Sequence, residues 1–184
     1  MQNLQIQPTI HLNTHTLNII YVSGSSLKKN QFLKEHFKHS NLGKKNQIAF
    51  VTSSNESLIP YLSVSDNIEL LKKHGQEPQI YTEIISKILS TETYHNFFFT
   101  PTNNLSPLEK ILVTLLRGIR NQQEYLVIAD HFDELDINQT HFLLDILLHI
   151  IDTTAYYVVI LTHQKELTNH KKATVIDINS LQLN

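Results

Sequence analysis

Apolar runs without alternation dominate the chain. Residues 17–22, 46–52, 124–130 and 155–163 are each close to continuously apolar. Runs of that length mark strands buried on both faces of a sheet. "TVIDI" (174–178) predicts a closing strand. Between these runs the spacing changes to a helical period. Residues 29–38 place Phe32, Leu33 and Phe37 on one side. "SVSDNIELLKKHG" opens with Ser63 as an N-cap, keeps helical spacing through Ile68 and Leu71, and should stop at Gly75. Residues 80–90 repeat the pattern. A long helix is predicted from Ser106, with Pro107 in its first position and Glu109 three residues after the cap. Residues 138–151 are a strongly apolar helix. Near the start, Leu4, Ile6, Ile10 and Leu12 alternate with polar residues, which predicts an edge or half-exposed strand pair. Buried strands alternating with helices give an α/β fold. The expected architecture is a mostly parallel sheet flanked by helices, with an N-terminal β segment and a small helical lobe over about 63–105. No linker or internal repeat interrupts it, so residues 1–184 are expected to form one domain.

Composition narrows the class. At 184 residues, 41% apolar and 17% charged, the chain can bury a real core. A net charge of -2 gives no electrostatic case for nucleic acid or an anionic membrane surface. The absence of cysteine excludes disulfides and thiolate metal sites. No apolar run approaches the ~18 to 20 residues of a membrane span. "MQNLQIQPTI" has no basic segment followed by an apolar core, so no signal peptide is expected and a cytoplasmic location is. The eleven histidines are scattered; His36, His39, His141 and His149 read as surface or core residues and not ligands.

Candidate chemistry gathers where the predicted strands end. In order these segments are Ser23 to Asn30, Thr52 to Glu56, Asp130 to Asp136, and Thr162-His163. Parallel α/β folds place ligand chemistry at the carboxyl ends of their strands. The first segment, "YVSGSSLKKNQFLKEHF", joins a buried strand to a small-residue turn and a lysine that opens a helix. A phosphate-binding loop begins this way, although Gly24 is the only glycine here.

This ordered set resembles the nucleotide-binding domain of ABC transporters, over nearly the whole chain. It is most similar to the compact type that powers lipoprotein-release, macrolide and bacteriocin exporters. The family's phosphate loop, G-x-x-G-x-G-K-S/T, falls without gaps on Ser23 to Asn30. Lys29 then takes the lysine position, Ser23, Ser26 and Lys28 the glycine positions, and Asn30 that of the magnesium-binding hydroxyl. "SLIPYLSVSDNI" is similar to the stretch after the glutamine loop, whose glutamine would fall near Ser53. "LSPLEKILVTLLRGIR" resembles the signature segment L-S-G-G-E/Q and its helix. Leu105, Ser106, Glu109 and Arg117 agree; Pro107 and Leu108 stand where the glycines would be. "LVIADHFDELD" resembles the Walker B strand with its D-loop. Asp130 is at the magnesium position, His131 replaces the catalytic glutamate, and Leu135-Asp136 come one residue early. "VVILTHQKEL" ends on His163 at the switch position.

The resemblance implies ATP and Mg²⁺ as ligands. Ser23, Gly24, Ser25, Ser26, Leu27, Lys28, Lys29, Asn30 and Gln31 would form the phosphate cradle, Asn30 and Asp130 would hold Mg²⁺, and His131 and His163 would be the catalytic positions. It implies a membrane permease subunit and a second ATP-binding subunit, identical or different, as partners, and docking at the inner face of the membrane through the permease. The departures have physical consequences. Glycines let successive N–H groups converge on phosphate in conformations that a Cβ obstructs. An asparagine amide oxygen can still ligate a hard cation. Pro107 has no N–H to offer, and Leu108 adds bulk. Hydrolysis requires a positioned, activated water; His131, Asp133 or Glu134 would have to supply the base. The expected function is therefore a transporter ATP-binding subunit with a degenerate site and weak or no hydrolysis. The alternatives are a scaffold or immunity component that binds no nucleotide, and an ATPase working through a substitute base. The family stacks adenine on an aromatic near its N-terminus; this chain offers His11 and His15 there, with no Phe, Tyr or Trp before Tyr21.

Overall fold

The computed structural model describes residues 11–21, 47–54, 57–70, 77–91, 94, 96–129 and 132–177. Among these residues five strands form one sheet: β1 (Leu17–Tyr21), β2 (Ile48–Val51), β3 (Tyr125–Ala129), β4 (Tyr157–Thr162) and β5 (Ala173–Asp177), in the order β2-β3-β4-β1-β5. Every pairing is parallel. The apolar runs explain this, because parallel strands are covered on both faces and cannot afford a polar side. On one face Leu17, Ile19, Val51, Leu126, Ile128, Val158 and Ile160 are at most 1% exposed. On the other, Ile20, Val127, Val159 and Leu161 are fully buried.

Among the described residues, four α-helices accompany the sheet: α1 (Val64–Glu69), α2 (Gln79–Leu89), α3 (Pro107–Arg120) and α4 (Ile137–Thr153). All contribute to the core on the first face. The helix α3 is its centre: Leu108, Ile111, Leu112, Leu115, Leu116 and Ile119 are each fully buried. Burial of such a side chain stabilises by about 1.5–3 kcal/mol. Gly118 lets α3 lie close on β2, since a Cβ there would stand 2.5 Å from the Cβ of Ala49.

Two buried asparagines organise the connections. The Asn18 amide accepts from Asn13 N–H at 2.8 Å and donates to the carbonyls of Asn13 (2.9 Å) and Val158 (3.0 Å). Asn67 Oδ1 accepts from Ile59 N–H at 2.8 Å, while its Nδ2 donates to the Ile59 and Ser63 carbonyls at 3.1 Å. Both side chains are fully buried with their polar atoms partnered, as burial of an amide demands.

One expectation changes. The helix from Ser63 ends at Glu69, where Leu70 caps it, and does not run on as helix to Gly75 in the described residues; 71–76 lie outside them. Leu70 is 47% exposed, so a helical continuation has no apolar seam to fill at that point. At the N-terminus, Leu4, Ile6 and Ile10 lie outside the described residues, and Leu12 belongs to no strand. The Asn18 side chain captures both backbone groups of Asn13, and His15 takes a φ of 59°, so the chain turns just ahead of β1. The predicted helix at 29–38 also lies outside the described residues.

Candidate functional site

The carboxyl edge of the sheet collects the loops singled out above. Tyr21 of β1 pairs with Thr162 of β4, and Ala129 of β3 pairs with Leu161. Hence the chain leaves β1 toward Lys29, and β3 toward Asp130, at the same rim, on either side of β4. With strands spaced about 4.8 Å, the two exits are about 10 Å apart. Residues 22–31 and 130–131 themselves lie outside the described residues, and with them Ser23, Gly24, Ser25, Ser26, Leu27, Lys28, Lys29, Asn30, Gln31, Asp130 and His131.

The remaining loops of this rim are well defined. After β2, Thr52 N–H donates to Thr114 Oγ1 at 3.1 Å, which fastens the loop to α3. Ser53, at the position of the family's glutamine, is 9% exposed, and its hydroxyl donates to Glu134 Oε2 at 2.9 Å. This bond joins the loops after β2 and β3. It also directs the Glu134 carboxylate toward the β2 side of β3, away from β1. After β4, the buried Thr162 hydroxyl accepts from Gln164 N–H at 3.0 Å, an ST-turn that leaves His163 exposed at the rim. Asp136 is the N-cap of α4: its Oδ1 accepts from Gln139 N–H at 2.8 Å, and Gln139 Oε1 accepts from Asp136 N–H at 3.1 Å.

The signature-like segment is closed on itself. Ser106 N–H and Ser106 Oγ–H both donate to Glu109 Oε2, at 2.8 and 2.7 Å, and Glu109 N–H donates to Ser106 Oγ at 3.4 Å. This capping box satisfies the serine inside its own helix turn. Pro107 carries no N–H, and the Leu108 side chain is fully buried. One turn from the other end of α3, Arg117 Nη1 donates to the Ser57 carbonyl at 2.6 Å, and burial holds its guanidinium below its ordinary pKa. A group docked against the start of α3 would therefore find neither the serine hydroxyl nor a run of glycine amides.

His15, in the region considered for base stacking, is at the opposite edge of the sheet. Its Nδ1 is 2.8 Å from the carbonyl of Ile151, near the end of α4. Among the described residues, no cluster of three or more acidic or histidine side chains could hold a metal, and no helix is long and apolar enough to cross a membrane.

Sequence reasoning missed two features. A groove of about 680 Å³ runs between α4 and the turn at Lys165–Asn169, floored by Phe132, Leu144 and Leu167 and rimmed by His141, Glu166 and His170. Arg120, in the last turn of α3, has a side chain only 2% exposed, with Nη2 2.9 Å from Glu77 and Nε 3.4 Å from Glu69. Its guanidinium carbon lies 5.5 Å from the Tyr81 ring centre. Neither feature has a motif; only the acids at positions 69 and 77 of the sequence hint at a cation between them.

No family model matches the sequence, and no curated protein is significantly similar to it. Solved structures are. The chain is similar to the dimeric bacterial ABC transporter cassette MJ0796, with a TM-score of 0.65 and 17% identity over 91% of this chain and 84% of that one. Against a structure of the MJ0796 cassette bound to ADP and Pi the TM-score is 0.63, with 18% identity over 86% and 79% of the two chains. CbiO1 from Clostridium perfringens, part of the ABC transporter complex CbiONQ, gives 0.62 and 14% identity over 84% and 70%. The fold is that of the ATP-binding cassettes of ABC transporters, the P-loop NTPase-like α/β arrangement that the resemblance implied.

Proposed function

We propose that this chain is the ATP-binding subunit of an ABC transporter whose nucleotide site is degenerate. It couples closure of two such domains to a membrane permease and hydrolyses ATP weakly or not at all. The observation that carries the reading is the self-closed start of α3. Ser106 is committed to Glu109, Pro107 has no amide proton, and Leu108 is buried. Such a segment is a poor donor to a γ-phosphate held by a second subunit.

The rest of the site is assigned by position. Lys29 contacts phosphate in the loop from Ser23 to Gln31, Asn30 and Asp130 hold Mg²⁺, and His163 at the exposed end of β4 senses the γ-phosphate. His131 replaces the family's carboxylate base, which accounts for weak turnover. Bound Mg-ATP would supply the charge that draws these loops together; the chain contributes the lysine cation, the carboxylate and the rigid β4 turn that presents His163. Glu134 is not the substitute base in this reading, because Ser53 draws its carboxylate to the β2 side.

Permease docking belongs on the surface formed by residues 59–64 and 97–103. Backbone bonds from Val64 N–H to Thr100 O, Thr102 N–H to Leu62 O and Asn103 N–H to Pro60 O tie the two segments together at 3.0 to 3.1 Å. Two aromatics project from this platform: Tyr61 is 80% and Phe99 81% exposed. Rigid, exposed aromatics supply contact area at low entropic cost. Such docking places the subunit at the inner face of the membrane, beside a second ATP-binding subunit of the same or another kind.

Calorimetry of ATP binding with and without Mg²⁺ tests the reading. The expected result is magnesium-dependent binding tighter than about 1 mM, or about -4 kcal/mol, that Lys29→Ala abolishes. Weaker binding removes nucleotide from the account and leaves the scaffold reading, which the closed signature segment also suits. Steady turnover abolished by Lys29→Ala would instead establish an active ATPase.

A further inference from the structure

Where the first turn of α2 meets the end of α4, packing is incomplete. A cleft of about 510 Å³ opens there, between Gln79, Ile80 and Glu83 on one side and Thr153 and Tyr156 on the other. Beside it, one polar contact spans the two helices: His149 Nε2 of α4 lies 2.7 Å from Glu83 Oε2 of α2. The other carboxylate oxygen, Oε1, accepts from Gln79 Nε2 at 2.7 Å, so Glu83 is held in place from both sides. The two side chains are about one-third exposed, at 37% for His149 and 34% for Glu83. Solvent protons therefore reach the imidazole.

We propose that the Glu83–His149 pair is a proton-operated latch that sets how firmly α2 is held against α4. Histidine is the side chain that ordinarily changes charge between pH 5 and 8. Protonated, it sets a full positive charge against the carboxylate in addition to the hydrogen bond. Deprotonated, it leaves only an ion facing a neutral donor. The bond with His149 is also the main cause holding the Glu83 carboxyl below its ordinary pKa, followed by the bond from Gln79.

Other charged and titratable groups flank the pair. On α2, Lys87 is one turn beyond Glu83. On α4, Asp145 is one turn before His149, and Asp152 is paired with Lys172. Just before β4, Tyr156 stays neutral, burial raising its hydroxyl pKa further. From α3, Arg120 is engaged by Glu69 and Glu77. The latch stands apart from the proposed nucleotide site and does not depend on it.

Hydrogen exchange of the full chain between pH 5.5 and 8.5, corrected for the intrinsic rate, tests the proposal. Peptides covering α2 should open about two- to fivefold more readily at the upper end, the range expected of a solvent-reached ion pair. Glu83→Gln and His149→Gln should each abolish that dependence. His149→Arg, a permanent cation, should hold α2 closed throughout. Peptides covering α3 should show no such trend in any variant. A wild-type α2 without pH dependence, or one whose dependence survives in Glu83→Gln and His149→Gln, overturns the latch.

Discussion

The helix α2 is fastened at two places, and the two differ in kind. Near its start, Arg120 reaches from α3 with its side chain 2% exposed, meets Glu77 and the face of Tyr81, and draws in Glu69 from α1. In its middle, Glu83 meets His149 of α4 where water reaches both. A guanidinium stays charged at every accessible pH, while an imidazole does not. One helix therefore combines a permanent anchor with a conditional one. The anchor should dominate stability and the conditional contact should dominate the pH response.

Removing the anchor is the severest way to break this contrast. Arg120→Ala strips the cation from Glu69 and Glu77 and the packing from Tyr81. It should cost about 2–3 kcal/mol in denaturant unfolding, less than a fully buried pair because the carboxylates are 39% and 45% exposed. A loss under about 1 kcal/mol would mean that the two fastenings do not differ. Asn67→Ala provides an uncharged reference in the same helical stretch. It orphans buried groups of the 59–63 loop and should cost about 2 kcal/mol, equally at low and high salt. Salt-sensitive loss in the arginine variant alone would confirm the electrostatic nature of the anchor.

Ser106→Ala removes the cap at the other end of the helix that carries Arg120, and about 1 kcal/mol should be lost. Combined with Arg120→Ala the losses should add within about 0.5 kcal/mol, since some 20 Å of helix separates the sites. Denaturant midpoints of the two single variants and the double variant check this.

The smallest effects are read from pH. The Glu83 carboxyl is held below its ordinary 4.5, so its contribution is present above that value and fades as pH falls through the lowered folded pKa. The stability difference between wild type and Glu83→Gln should accordingly shrink below about pH 4.5. Tyr81 moves the other way: burial first, then Glu69 and Glu77, push its hydroxyl to about 12. Its contribution is complete below pH 10 and lost between 10 and about 12. Alkaline unfolding over that interval should be less steep in Tyr81→Phe.

The strands were legible because burial on both faces leaves an unbroken apolar run. The runs at 17–22 and 124–130 became β1 and β3 with ends shifted by a residue. The capping box at Ser106 was legible because Ser, Pro and Glu stand at fixed offsets from a helix start. Strand order was not, since β1 lies between β4 and β5 through contacts far apart in sequence. The stop of α1 at Glu69 was equally hidden: the helical spacing of Ile68 and Leu71 runs past it, and the exposure of Leu70 is visible only in the fold. Of the proposed site, the rim is drawn by β-pairing, whereas Lys29 and Asp130 rest on sequence position. Ser53, first noted as a missing glutamine, gained a partner in Glu134 that no spacing suggested.

The missing Cβ of Gly118 has a mechanical consequence. It lets α3 sit down on Ala49, and Thr114 pins the same helix to Thr52 one turn earlier. From that clamp to Pro107, α3 runs on for about 10 Å, with Leu108, Ile111 and Leu112 sunk in the core. A tilt of about 5° at the clamp would swing the Ser106 tip by about 1 Å, a third of a hydrogen-bond length. The gap left by one hydrogen atom thus fixes the height at which the tip stands over the rim, and a methyl group there would act on the tip without touching it.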